Sequence, residues 1–224
     1  MIIPSTLAHA RHLPEVLGTL AKQTLPPDEV SISISECPSP RAVDVNTLRR
    51  AAGARTKIIV QTDPRIAFAG KNRNRAADRS TGDLLIYQDA DDLPHPQRIE
   101  ILAHLFGRFH VDHVLHHYEY ASSPSARSTW SSHRFAIRDA PTKAYYEPYP
   151  NVGYAHPFHN GNNATSRALL AIVRWPEGLR RGQDTAYNKA CGRSALRGTM
   201  ARLPWPLVTY RQFLSTTKIA RKAS

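Results

Sequence analysis

Three carboxylates within four residues close a short apolar run. Leu84-Leu85-Ile86-Tyr87 is followed by Gln88-Asp89-Ala90-Asp91-Asp92. The run shows no polar alternation, the pattern of a strand buried on both faces of a parallel sheet. Pro96 pre-sets the backbone of a first helical turn. Ile99, Leu102, Ala103 and Phe106 then recur at i, i+3, i+4 and i+7, which predicts one apolar helix face. The acidic cluster is therefore expected at the carboxyl end of a central strand, where open α/β sheets bind ligands. Clustered carboxylates repel one another. A hard divalent cation, Mg2+ or Mn2+, relieves that cost by taking one or two carboxylate oxygens and completing its shell with phosphate and water. A solvated acidic turn that starts a helix is the plainer reading, since Asp is favoured there anyway.

Other residues carry chemistry in smaller groups. Glu36, in the turn-rich stretch Ser35-Glu36-Cys37-Pro38-Ser39-Pro40, can accept hydrogen bonds from a nucleobase or ribose, or can be a plain loop carboxylate. Residues 69–82 read as a basic helix with Gly82 as its C-terminal stop. Lys71 and Arg75, and again Arg75 and Arg79, lie four apart on one side. Arg73 points elsewhere and can reach a nucleotide, whereas a solvated basic face is expected for most of these cations. Gln183-Asp184 opens a late helix, where Asp184 is either a cap or a carboxylate aimed at the site. His110, His113, His116 and His117 suggest a metal cluster by number alone. Adjacent strand residues face opposite ways, so His116 and His117 are expected to be structural. His9 and His12 are read the same way.

The bounds agree with a phosphate-binding α/β domain. The chain has 224 residues, with 30 Lys and Arg against 18 Asp and Glu, a net charge of +12. That balance favours nucleotides, nucleic acid or an anionic membrane surface without choosing among them. The cysteines, Cys37 and Cys191, have no close metal or redox spacing and suggest a reducing compartment. No apolar run approaches a membrane span, and the opening Met1-Ile2-Ile3-Pro4 has no signal-peptide pattern. The expectation is a cytoplasmic protein with at most peripheral membrane contact.

In order, the expected strands are Ile2-Ile3, Val30 to Ile34, Lys57 to Val60, Leu84 to Tyr87, Val111 to Tyr120 and Leu203 to Arg211. Helices are expected from about Pro14, with Leu13, Val16, Leu17 and Leu20 inward, and weakly over Val43 to Ala52. Another follows residue 163, with Leu169, Leu170 and Val173 inward. This βαβα alternation implies a Rossmann-like doubly wound α/β/α sandwich with a mostly parallel central sheet. The expected organisation is a single domain over 1–217, with a nucleotide half to about 110, an acceptor half from 111, and a basic tail at 218–224. Ser122 to Gly153 has little periodicity and is expected to be a functional loop or lid. Its Trp130, Tyr145, Tyr146 and Tyr149, with Tyr154 beyond it, offer either stacking surfaces for a sugar or packing that holds the loop down.

The ordered set of pieces resembles the GT-A glycosyltransferases of the family 2 type. Ile2-Ile3-Pro4 resembles the opening strand, and Leu17 to Pro27 with Gln23-Thr24 the helix after it. Arg73-Asn74-Arg75-Ala76 followed by Gly82-Asp83 resembles the Arg-Asn-x-Ala stretch and Gly-Asp. Gln88-Asp89-Ala90-Asp91-Asp92 resembles the Asp-x-Asp signature, with His95-Pro96 after it. Gln183-Asp184 resembles a Glu-Asp pair, and Leu207 to Arg211 a Tyr-Arg close. The departures are Ser35-Glu36-Cys37-Pro38 in place of Asp-Asp-Gly-Ser, Gln183 in place of Glu, no histidine after His159, and no Gln-x-x-Arg-Trp.

The resemblance implies inverting transfer of a sugar from a nucleotide-diphosphate sugar, with UDP favoured and GDP open. The acceptor would be a hydroxyl, on a glycan or elsewhere, and no nucleic-acid partner is implied. Asp91, helped by Asp89, would hold Mn2+ or Mg2+, with ribose binding as the other role for Asp89. Glu36, Lys71 and Arg73 would contact the nucleotide, and Asp184 would be the base. Two other classes remain at this point. A nucleotidylyltransferase would need an early glycine-rich loop, and Ile3-Pro4-Ser5-Thr6-Leu7-Ala8 has no glycine. A basic nucleic-acid-binding protein is permitted by the charge.

Overall fold

The computed structural model describes residues 1–109, 111–121, 123, 133–137, 162–194 and 200–211. Three parallel strands, β1 (Ile2–Thr6), β2 (Glu29–Ser35) and β3 (Lys57–Thr62), run in the order β1-β2-β3. They are linked by α1 (Leu13–Ala21) and α2 (Val45–Ala52), and α3 (Ala69–Arg79) follows. A second sheet has the order β4-β7-β6-β8-β5, from β4 (Leu84–Ile86), β5 (Leu93–Pro94), β6 (His113–Tyr120), β7 (Ala164–Ser166) and β8 (Met200–Tyr210). A parallel bridge between Ile2 and Tyr87 joins the two, and Gln88 N donates to Ile2 O.

Parallel pairing is complete in the first sheet and mixed with antiparallel pairing in the second. β4 pairs with β7 antiparallel, so the strand that carries the acidic turn is parallel only to β1. In the second sheet β6 and β8 are parallel, while β6–β7 and β5–β8 are antiparallel. Leu85, Ile86 and Tyr87 are nonetheless buried, as the apolar run requires.

Alternation in β2 does not mark an exposed face. Val30, Ile32 and Ile34 enter one core with Leu13, Val16, Leu17 and Leu20 of α1. The serines between them are also buried, and they face α3. Ser31 Oγ donates to Ala76 O at 2.7 Å, and Ser33 Oγ to Asn72 Oδ1 at 3.1 Å. Small hydroxyls let α3 approach the sheet closely, and the helix satisfies them.

Helix ends follow local chemistry. Asp44 caps α2 by accepting from Asn46 N and Thr47 N. α3 stops at Ser80 in an extended conformation, two residues before Gly82, which is not its terminator. α4 (Arg98–Phe109) buries Ile99, Ile101, Leu102 and Leu105, so its inward face is rotated from the expected one, and Phe106 only packs at the margin. α5 (Arg167–Leu170) is a single turn capped by Ser166, and α6 (Gln183–Ser194) begins at the expected Gln-Asp pair.

His113 and His116 of β6 are held inside the fold. His113 is fully buried, with Nε2 3.1 Å from Asn188 Oδ1. His116 Nε2 accepts from Arg98 Nε at 3.0 Å, so its ring is neutral there. His110 lies outside the described residues. So does most of the expected loop over Ser122 to Gly153, including Trp130, Tyr145, Tyr146 and Tyr149, as does Tyr154. The described piece around Phe135 is pinned to the core: Gln97 accepts from Phe135 N at 2.8 Å and donates to Phe135 O at 3.1 Å.

Candidate functional site

The acidic turn sits where β4 ends, held on three sides. From below, the buried Arg98 donates to Gln88 Oε1 at 2.6 Å and Tyr87 O at 2.7 Å. Gln88 Nε2 in turn donates to the carbonyls of Asp89 and Asp92 at 3.0 Å. From the β7 side, Asn162 accepts from Asp89 N and donates to Asp92 Oδ2, both at 2.9 Å. From the end of β8, Arg211 N donates to Asp92 Oδ1 at 3.0 Å and its guanidinium to Asp91 O. Another Arg211 nitrogen pairs with Glu15 at 2.6 Å.

These ties give the three carboxylates different roles. Asp92 is fully buried with both oxygens engaged. Burial, then the charges of Asp91 and Asp89, push its carboxyl well above the ordinary value, so it is a structural anchor of the turn. Asp89 is a quarter exposed and accepts from Arg73 at 2.6 Å. Among the described residues, no ion pair reaches the Asp91 carboxylate, while Asp89 and Asp184 share Arg73. Burial, and next the Asp89 charge, raise its pKa. A carboxylate oxygen donor set fits a hard divalent cation, and such ions need only one or two protein carboxylates. Among the described residues no three His, Cys, Asp or Glu side chains form a closed metal cage.

Arg73 connects the acidic turn to α6. It is 3% exposed, unlike the solvated basic face expected of α3. One terminal nitrogen reaches Asp89 and the other Asp184, at 3.3 Å. Its guanidinium lies 4.2 Å from the Trp175 ring, which stacks on Tyr187 at 3.9 Å. Asp184 is the second residue of α6, and its carboxylate faces this cation. Its pKa is raised by burial, with Arg73 opposing the rise.

α3 and the segment 175–184 are built against one another. Asn74 donates to Trp175 O at 3.0 Å and accepts from Trp175 N at 3.1 Å. Gly70 N donates to Gln183 Oε1 at 2.5 Å. A Cβ at position 70 would lie 2.4 Å from Pro176 O, so only glycine fits. Gln183, which departs from the expected Glu, thus accepts from the start of α3.

The structure therefore brings Asp89, Asp184 and Arg73 together, with Asp91 in the same turn. Glu36 stands at the end of β2, exposed and with φ +58°. That left-handed conformation is uncommon outside glycine and clusters at functional sites. Lys71 is half-buried in the first turn of α3. Arg75 pairs with Asp63 at 3.2 Å. Sequence reasoning missed Trp175, Asn162 and Arg98 as site builders. A buried Arg inside an amphipathic helix carries no sequence signal, because only its partners make it tolerable.

A family model described as glycosyl transferase family 2 matches residues 1–169. No curated protein matches the sequence. The fold is similar to that of S. aureus TarS 1–349 in complex with UDP-GlcNAc, with a TM-score of 0.67 and 18% identity over 94% of this chain and 58% of that one. It is also similar to M. tuberculosis glucosyl-3-phosphoglycerate synthase in complex with Mg2+ and UDP, with a TM-score of 0.54 and 14% identity over 94% of this chain and 72% of that one. At these identities the likeness is one of fold. This chain spans less than two thirds of the TarS fragment.

Proposed function

This chain belongs to glycosyl transferase family 2, and from that premise we propose that it moves a sugar from a nucleotide-diphosphate sugar, UDP-linked by preference, to an acceptor hydroxyl with inversion. The observation that carries the reading is the Arg73 fork. It holds Asp184 of α6 within one guanidinium of the acidic turn, although 111 residues separate Arg73 from Asp184. UDP-sugar and UDP complexes of proteins with the same fold support a nucleotide-sugar donor. The family selects glycosyl transfer from the three classes the sequence left open.

The proposal gives these residues the following roles. Asp91, with Asp89 beside it, would hold Mn2+ or Mg2+, which supplies positive charge for the departing diphosphate. Glu36 and Lys71, at the ends of β2 and α3, are assigned to the nucleotide. Arg73 is assigned to holding Asp89 and Asp184 in place and charged. Asp184 takes the acceptor proton as the hydroxyl oxygen attacks the anomeric carbon. The bond to the diphosphate breaks as the new glycosidic bond forms. Positive charge on the sugar ring in an oxocarbenium-like transition state is favoured by nearby carboxylates.

The test is a panel of UDP-, GDP- and dTDP-sugars with and without Mn2+, read by thermal shift and nucleotide release. Stabilisation and release with one UDP-sugar and Mn2+ are expected. No shift and no release across the panel would overturn the reading.

A further inference from the structure

We propose that Tyr118, Tyr120 and Tyr210 form an aromatic platform that binds the pyranose ring of an acceptor sugar. Tyr118 and Tyr120 are two apart on β6 and so share one face of the sheet. Tyr210 of β8 is the register partner of Tyr120, which puts it on the same face. The three rings meet edge to face, with centroids 5.3, 5.5 and 5.6 Å apart. The hydroxyls of Tyr118 and Tyr120 are 3.2 Å apart at the exposed rim. Tyr120 is 58% exposed, a large aromatic surface left open beside the site.

The platform adjoins the acidic turn. The next residue, Arg211, donates its N–H to Asp92, and Thr209 pairs with Leu93. The hydroxyls of Tyr118 and Tyr210 are held protonated, first by burial and then by neighbouring tyrosines and turn carboxylates. They therefore remain donors at neutral pH.

The chemistry suits a sugar. The interplanar angles of 62°, 76° and 80° leave no parallel slot between two of these rings in which a flat base could be sandwiched. A pyranose presents polarised C–H bonds on one face, which suit the negative face of a tyrosine ring, and hydroxyls at its edge, which suit the phenol rim. The rings stand on β6 and β8, whereas Glu36 and Lys71 lie with β2 and α3. The proposal rests on the preceding reading for an acceptor sugar that must reach Asp184 and for a nucleotide placed at Glu36 and Lys71.

The experiment is saturation-transfer NMR on the full chain with UDP and Mg2+. The probes are the methyl β-glycosides of glucose, galactose and N-acetylglucosamine. At least one glycoside should receive saturation at its ring C–H protons. Tyr120→Ala should weaken its binding about three- to tenfold, the range of an aromatic contact. Tyr120→Phe should retain most of it, and UDP affinity should be unchanged in both variants. No transfer to any glycoside, or transfer unaltered by Tyr120→Ala, would reduce the triad to packing and overturn the proposal. Loss of UDP affinity in Tyr120→Ala would assign the rings to the nucleotide and overturn it too. Should the unaltered chain fail to bind UDP, the donor reading falls. Tyr120-dependent saturation would still establish the platform as a sugar site.

Discussion

Arg73 and Asp184 meet at 3.3 Å across 111 residues of sequence, and the same guanidinium reaches Asp89 at 2.6 Å. One buried cation thus couples the acidic turn to the carboxylate on α6. Replacing Asp184 separates its two possible roles. Asp184→Asn keeps the size and removes the proton-accepting charge. Transfer is expected to fall by about 10²- to 10⁴-fold, the usual cost of a lost general base. UDP affinity in Mn2+ should stay near that of the unaltered chain. Near-normal turnover would make Asp184 a purely structural partner of Arg73, since as the second residue of α6 it is not the helix cap that its sequence position also allowed.

Gly70→Ala tests the seam between α3 and the segment carrying Asp184. The added Cβ would lie 2.4 Å from Pro176 O and 2.9 Å from Gln183 Oε1. The backbone must shift, at a cost of about 1–3 kcal/mol. The melting temperature should drop by several degrees, about 2–4 °C for each kcal/mol in a chain of this size. Transfer should fall further than nucleotide binding, because Asp184 moves with Gln183. An unchanged melting curve would show that the seam yields freely.

The buried His113 predicts a pH dependence of stability. Burial lowers its pKa from an ordinary 6.5 to about 4. Between those values the unfolded chain binds a proton that the folded one refuses. Stability is therefore complete above about pH 6.5 and declines as pH falls toward about 4, by up to about 1.4 kcal/mol per pH unit from this group. His113→Gln should flatten that part of the profile, and titrations elsewhere cancel in the comparison. Thermal melts from pH 7 to 4 on both proteins provide the measurement, and parallel profiles would contradict the assignment.

Much of this was legible in the sequence, for identifiable reasons. Leu13, Val16, Leu17 and Leu20 line the core face of α1 as their spacing requires. The acidic turn lies at a strand end because an apolar run must stop where the sheet does. What was not legible depends on tertiary partners. The serines of β2 mimic an exposed face until α3 covers them. Leu84 to Tyr87 reads the same whether its neighbours are parallel or antiparallel, since burial alone sets its composition. The spacing sets Arg73 apart from the other cations of its helix but does not show that it is buried. Asp89, Asp184 and Trp175, all remote in sequence, make its burial tolerable.

The three carboxylates of the turn divide the labour. Asp92 anchors the turn and Asp89 answers Arg73, which leaves Asp91 as the proposed ligand of a cation bound with the nucleotide. Titration calorimetry of UDP against the unaltered chain and Asp91→Ala, each in Mn2+ and in EDTA, tests this most directly. The account predicts that Mn2+ strengthens UDP binding to the unaltered chain at least tenfold, about 1.4 kcal/mol, and that Asp91→Ala removes the difference while the fold remains intact by melting temperature. Equal UDP affinity in Mn2+ and EDTA for the unaltered chain, or an Mn2+ effect that persists in Asp91→Ala, would contradict it.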